Sequence, residues 1–233
     1  MLKYALLIGI NYTHSKYELR GAINSIDTVK KMLIDKLDFL DKNIVVLTDH
    51  TRIPATGINI IRQLNTLFHR AKNNGCNHVW IHYAGYGQLP CKDQKNPNTI
   101  MIGSDYKVVT DNIINKILSD ISSNMQLTWI IDCCFSGQIS ALHHKSGTIV
   151  RPENPSLTPN ILLITATVDR SKPLYNKTSY EGGITRSLLH VLETENYSWN
   201  LKHIFTEMSK YMQYNFYEQQ PIIYELLSHS KEG

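Results

Sequence analysis

Two short segments hold the side chains best suited to chemistry. One is Ile131-Asp132-Cys133-Cys134-Phe135-Ser136-Gly137; the other is His82-Tyr83-Ala84-Gly85-Tyr86-Gly87-Gln88. The first places adjacent thiols after an apolar run and before small residues. A cysteine thiolate is a strong nucleophile near neutral pH, and backbone amides in a small-residue turn can face an incoming carbonyl and hold an oxyanion. The second gathers a histidine, two tyrosines and two glycines, groups that move protons or let the backbone approach closely. Taken alone, Cys133-Cys134 reads as two small buried hydrophobes; the second segment is what gives it chemical meaning.

Both segments follow apolar runs, and in open parallel sheets functional residues collect at the carboxyl ends of strands. Apolar runs alternate with helical spacings along the chain, which predicts βαβ units and a mostly parallel sheet flanked by helices. Strands are expected at 4–10, 43–48, 78–83, 126–132 and 161–167, with an edge strand from Pro221 to Tyr224. Helices are expected over 24–39, from a Thr56 cap to Asn73-Asn74-Gly75, from Thr110-Asp111 through Leu118, after Gly182-Gly183, and over 199–214. Glycine at every second position predicts a tight turn over Ala84-Gly85-Tyr86-Gly87. The stretch 143–159, with Gly147, Pro152, Pro155 and Pro159, is the expected linker loop between a larger part (1–142) and a smaller part (160–233). One strong strand in the smaller part cannot make its own sheet, so both parts are expected to share one sheet in a single domain, 1–233.

The charge balance is mild. A net charge of +4 with 19% charged residues, and no long run of one sign, argues against nucleic acid as a partner. No stretch approaches the ~18 apolar residues of a membrane span, and the apolar run at Tyr4–Ile8 stops at Gly9, too short for a secretory core. The four cysteines, at 76, 91, 133 and 134, match neither a disulfide framework nor a paired zinc motif. A reducing, cytoplasmic setting follows as the expectation.

The two segments together resemble metacaspases and their caspase relatives, in which a pattern like H-Y-S-G-H-G ends one strand and D-x-C-H-S-G ends another. Here they read HYAGYG and DCCFSG. Positions 86 and 134 are 48 residues apart, against about 50 between the caspase histidine and cysteine. The opening ALLIGINY, Leu19-Arg20-Gly21-Ala22-Ile23-Asn24, Ser104-Asp105-Tyr106 with Thr110-Asp111, Glu181-Gly182-Gly183-Ile184-Thr185, and Gln219-Gln220-Pro221 extend the likeness along nearly the whole chain. The resemblance implies a caspase-like α/β/α fold. It also implies that Cys134 holds the nucleophile position, with Gly87 in the oxyanion region and Tyr86 where the family has its catalytic histidine.

A phenol is a poor replacement. Its unperturbed pKa of about 10 leaves roughly one molecule in a thousand ionised near pH 7, and the general acid–base step it fails to supply is worth roughly 10²–10⁴ in rate. His78 and His82 precede Tyr86 by even spacings, so an extended strand would put all three on one face, with His82 about 13 Å from position 86. His82 is therefore expected as a core histidine. His143 and His144 fall in the linker and are expected at the surface.

By the same resemblance the substrate pocket positions are Ala22, Ser25, Ala84 and Asp132, where relatives that cut after arginine or lysine carry cysteine, aspartate, serine and aspartate. Of these only Asp132 keeps the family type, and a strand-end carboxylate bonded to nearby amides is almost as good a reading of it. Asp111 is the one carboxylate matching a family calcium site, so no metal and no cofactor are expected. The leading expectation is a metacaspase-like pseudoprotease, a monomer that binds peptides or another caspase-like protein without efficient cleavage. An active cysteine endopeptidase cutting after Arg/Lys with a rearranged base, and a non-catalytic interaction module, are the alternatives.

Overall fold

Runs of β-branched and aliphatic residues form the centre of the molecule. The computed structural model describes residues 2–87, 99–118, 125–134, 149–150, 160–168, 182–197, 200–215 and 219–226. Strands β1 (Lys3–Gly9), β2 (Ile44–Thr48), β3 (His78–Tyr86), β6 (Gln126–Cys134), β7 (Ile149–Val150), β8 (Asn160–Val168) and β9 (Gln219–Leu226) make one sheet in the order β2-β1-β3-β6-β8-β9-β7. The ladders from β2 to β8 are parallel, and β9 runs antiparallel to β8. A separate antiparallel pair joins β4 (Thr99–Ile102) to β5 (Val108–Thr110).

Among the described residues five α-helices flank the strands: α1 (Ala22–Leu37), α2 (Gly57–Asn73), α3 (Asp111–Leu118), α4 (Gly183–Thr194) and α5 (Leu201–Tyr214). The side-chain period of two in the central strands divides their residues between two cores. Leu6, Ile8, Val79, Ile81 and Tyr83 pack with α2, α3 and the β4–β5 pair. Leu7, Trp80, Ala84 and Ile130 pack with α1, α4 and α5. The result is a mostly parallel sheet between two helical layers, as the alternating pattern predicts.

The structure corrects three expectations. Ala84-Gly85-Tyr86 is not a turn: β3 continues through it, paired in register with β6 as far as Tyr86 opposite Cys134. Gly85 is needed for close approach, since a Cβ there would lie 2.7 Å from the Tyr83 hydroxyl and 3.1 Å from that of Tyr12. The strand around Pro221 is not at the edge, because β7 lies outside β9. β7 pairs only with Ile223 and Tyr224, so it requires no N–H from Pro221. Ile149 and Val150, inside the expected linker loop, are that outermost strand. Among helix ends, Thr56 accepts from the Asn59 amide and Asn200 from the His203 amide, which fixes the starts of α2 and α5.

Candidate functional site

The carboxyl ends of β3 and β6 meet in register: Ala84 is paired with Asp132, Gly85 with Cys133 and Tyr86 with Cys134. Neighbouring strands run about 4.8 Å apart, so the sheet brings the two candidate segments side by side at the position where parallel sheets carry their sites. Gly87 lies just past β3 and is buried. Phe135, Ser136, Gly137, His143 and His144 lie outside the described residues.

Tyrosines hold the end of β3. The Tyr12 hydroxyl donates to the Ile102 carbonyl at 2.7 Å and accepts from the Tyr86 amide at 3.1 Å. The Tyr83 hydroxyl donates to the Tyr86 carbonyl at 2.7 Å and accepts from the Ile102 amide at 3.1 Å. The two hydroxyls are 3.2 Å apart. Burial pushes both phenols above their usual range, so they stay neutral hydrogen-bonding groups. The Tyr86 ring packs 5.0 Å from that of Tyr12, and the half-exposed Tyr106 stacks on Tyr12 at 6.0 Å. Sequence reasoning missed Tyr12 and Tyr83 as site-shaping residues; the signal was an aromatic residue at the end of each of two neighbouring parallel strands.

His82 and Tyr86 do not share a face, contrary to the simple alternation. Tyr86 packs against the core that holds Tyr12 and Tyr83, whereas His82 points to α4, with Nε2 2.9 Å from the Thr185 hydroxyl. The alternation holds through Gly85, whose Cβ direction faces the Tyr83 and Tyr12 hydroxyls, and breaks at Tyr86. His82 is fully buried, its Nδ1 has no hydrogen-bond partner among the described residues, and desolvation lowers its pKa to about 3. His78 is tied to Thr128 at 3.0 Å, and burial lowers it to about 4. Neither imidazole is a base for position 134.

Of the four positions expected at the pocket, Ser25 and Asp132 meet the start of α4. Ala22 and Ala84 belong to the same core as Ile184. The Ser25 hydroxyl accepts from the Gly182 amide at 3.3 Å, and the Asp132 carboxylate accepts from the Thr185 amide at 2.8 Å. Burial raises the Asp132 pKa, opposed by hydrogen bonds from the Thr185 hydroxyl and the Thr185 and Ile184 amides.

Cys76, Cys133 and Asp111 are buried. Cys133 is buried, its thiol 3.9 Å from the Ile100 carbonyl. The Cys76 thiol donates to the Leu2 and His78 carbonyls, and burial raises its pKa. Asp111 is buried at the first residue of α3, where its carboxylate takes the Asn112 amide at 2.6 Å. Among the described residues no three His, Cys, Asp or Glu side chains gather to hold a metal ion. No helix among the described residues is long and apolar enough to cross a membrane.

Comparisons with known proteins agree with this arrangement. The family model described as the metacaspase, peptidase C14 domain matches residues 3–143. Metacaspase-1 of Eremothecium gossypii is 33% identical over 156 residues, which is 62% of this chain and 34% of that protein. Metacaspase-6 of Arabidopsis thaliana is 34% identical over 144 residues, 59% of this chain and 39% of its own. The chain thus aligns with only about a third of the length of these curated relatives. Among solved structures, a protein of Geobacter sulfurreducens superposes with a TM-score of 0.66 at 14% identity, covering 99% of this chain and 96% of its own. Pro-Sf-caspase-1 gives 0.57 at 15% identity, covering 99% and 92%. At such identities these two likenesses speak for the fold alone.

Proposed function

The chain belongs to the metacaspase family of C14 peptidases, and from that premise we propose that it is a pseudoprotease. It binds peptides or a caspase-like partner at the β3–β6 strand ends and does not cleave efficiently. The observation that carries this reading is the register of Tyr86 against Cys134: beside the nucleophile position stands a phenol, and the nearest imidazoles along the same strand are bonded to Thr185 and Thr128. In a working enzyme of this kind an imidazole takes the thiol proton as sulfur attacks the carbonyl, then delivers it to the leaving amine. On this reading neither imidazole of β3 takes the thiol proton or protonates the leaving amine, and Gly87 supplies an amide in the oxyanion region. The positions Ala22, Ser25, Ala84 and Asp132 line the side of the groove towards α4. We propose further that the protein works as a cytoplasmic monomer without a metal or other cofactor.

The test is turnover of an arginyl fluorogenic peptide, with and without calcium, by the wild type, Cys134→Ala and Tyr86→His. The wild type should be no faster than Cys134→Ala, and Tyr86→His should gain on the order of 10²–10⁴. Wild-type turnover that Cys134→Ala abolishes would overturn the proposal and install the active endopeptidase in its place.

A further inference from the structure

Between Asp49 and Asp93 the chain carries no acidic residue, while Arg52, Arg62, Arg70, Lys72 and Lys92 all fall in that stretch. Arg62, Arg70 and Lys72 are on α2, and none of them has an acidic partner among the described residues. Arg70 and Lys72 complement the helix dipole in the last turn; Arg62, in the first half of the helix, does not. The acids that flank β2 are engaged elsewhere, Asp41 by Lys30 at 2.7 Å and Asp49 by the Asn11 amide at 2.7 Å. Between α2 and β2 a shallow cleft opens, with Tyr4, Leu6, Val45 and Leu67 as its floor and Gln63 and Arg70 at its rim. Its open space of about 260 Å³ is below that of a pocket for a drug-sized ligand and suits one side chain. The exposed Arg70 lays its guanidinium 4.9 Å from the centre of the Tyr4 ring, and the Tyr4 hydroxyl accepts from the Asn74 side chain at 2.9 Å. A guanidinium stacked in this way is a preset fork for a carboxylate. β2 is also the outermost strand on this side of the sheet. Alternate residues of a strand turn their N–H and C=O to the same edge. The Ile44 amide bonds to the Asp41 carbonyl, and the Thr48 amide and carbonyl bond to Thr51 and Ala55, so these residues face outward. Val46, between them, faces outward too, and no described strand pairs with that edge.

We propose that the cleft between α2 and β2 docks an acidic, extended segment of a partner protein. One apolar side chain of the segment sits on Leu6, Val45 and Leu67, a carboxylate on the same face takes the Arg70 guanidinium, and the backbone pairs with Val46 as an added strand. The combination selects a peptide. A nucleic acid would use the charges and leave the apolar floor and the strand edge empty, and a bilayer does not enter a cleft one side chain wide. Strand β1 separates this site from β3, so docking here does not depend on whether the β3–β6 strand ends are catalytic.

The experiment is titration of the nitrogen-15-labelled intact chain with blocked peptides of alternating valine and glutamate, valine and glutamine, or valine and lysine, followed by amide shifts. Poly(U) and phosphatidylserine vesicles are the further probes. The glutamate peptide should shift the amides of Val46, Gln63 and Arg70 and bind about ten- to a hundredfold tighter than the glutamine peptide, by a margin that shrinks as salt rises. Arg70→Glu should reverse the preference, rejecting the glutamate peptide and taking the lysine one, with the remaining amide spectrum still that of the folded wild type. Gln63→Lys, which adds a cation at the rim and leaves Arg70 in place, should tighten binding of the glutamate peptide. Equal affinity for the glutamate and glutamine peptides, no shift with any peptide at about 1 mM, or shifts clustered away from β2 and α2 would overturn the proposal. If poly(U) or the vesicles displace the glutamate peptide from these amides, the surface belongs to a nucleic acid or a membrane and the proposal is overturned. Shifts of the same amides on raising the protein concentration alone would give the edge to a second copy and overturn it as well.

Discussion

Tyr86 is held through its backbone as well as its ring. Its amide goes to the Tyr12 hydroxyl and its carbonyl to the Tyr83 hydroxyl, and both phenols also engage the backbone of Ile102 on β4. Two buried side chains thus fix where position 86 sits relative to β6. Removing either hydroxyl leaves a backbone group of β3 or β4 without its partner, a loss of about 1–3 kcal/mol for a buried group. Tyr12→Phe and Tyr83→Phe should each lower unfolding stability by that amount in urea titrations. Because the two hydroxyls are in contact at 3.2 Å, the double variant should lose less than the sum of the singles; strict additivity would mean that the two rings act independently. The same clamp bears on catalysis, because an imidazole introduced at position 86 inherits a fixed backbone and needs only to find its rotamer.

At the scale of elements, the ends of helices are set by residues distant in sequence. Asp105, in the turn between β4 and β5, accepts from the Gly57 amide at 2.9 Å at the start of α2 and from the Lys107 amide at 3.3 Å. A carboxylate there satisfies a free amide and complements the helix dipole. Asp105→Ala should cost about 1 kcal/mol, visible as a lower urea midpoint with an unchanged slope. A changed slope would mean instead that the β4–β5 pair had come loose. These long-range partners also explain what the sequence could and could not reveal. The strong strands and the helices with a period near 3.6 were legible, because Ile8, Val79 and Leu127 announce burial locally. So were Thr56 as a cap and the neighbourhood of positions 86 and 134. The glycine at 85 was misread as a turn, since its reason is the hydroxyls of Tyr12 and Tyr83, one of them 73 residues away by chain numbering. The short strands β4, β5 and β7 have four, three and two residues and exist only through their partners. The cap on α4 comes from Asp132, 53 residues before Thr185, and the partner of His82 is 103 residues beyond it; no local pattern encodes either.

At the scale of the whole molecule, strands from both sides of the 143–159 stretch lie in one sheet, and α4 meets β3 at His82 and β6 at Asp132, both buried titratable groups. His82 falls to about 3 and His78 to about 4 because burial disfavours their charged forms, whereas an unfolded chain binds protons at both near 6.5. Between those values the unfolded state holds more protons, so stability rises with pH there. Their contribution is fully present above pH 6.5 and is lost as pH falls towards 4 and then 3. At about 1.36 kcal/mol per pH unit, His82 alone is worth on the order of 5 kcal/mol across its window, a large share of the ~5–15 kcal/mol of a typical domain. Asp132 acts in the opposite sense. Its pKa is raised by burial, so its ionised form is the one the fold disfavours, and protonating it as pH falls offsets part of the histidine loss. Two imidazoles shifted down oppose one carboxyl shifted up, and hydrogen bonds from Thr185 and Ile184 work against that upward shift. Urea midpoints measured at pH 7, 5.5 and 4.5 should therefore fall steadily. His82→Gln, which keeps a polar group facing the Thr185 hydroxyl but does not titrate, should fall less steeply over the same range. A wild-type midpoint that stays level between pH 7 and 4.5 would mean that neither imidazole is buried as a neutral ring, and the packing of β3 against α4 and β6 would then need a different account.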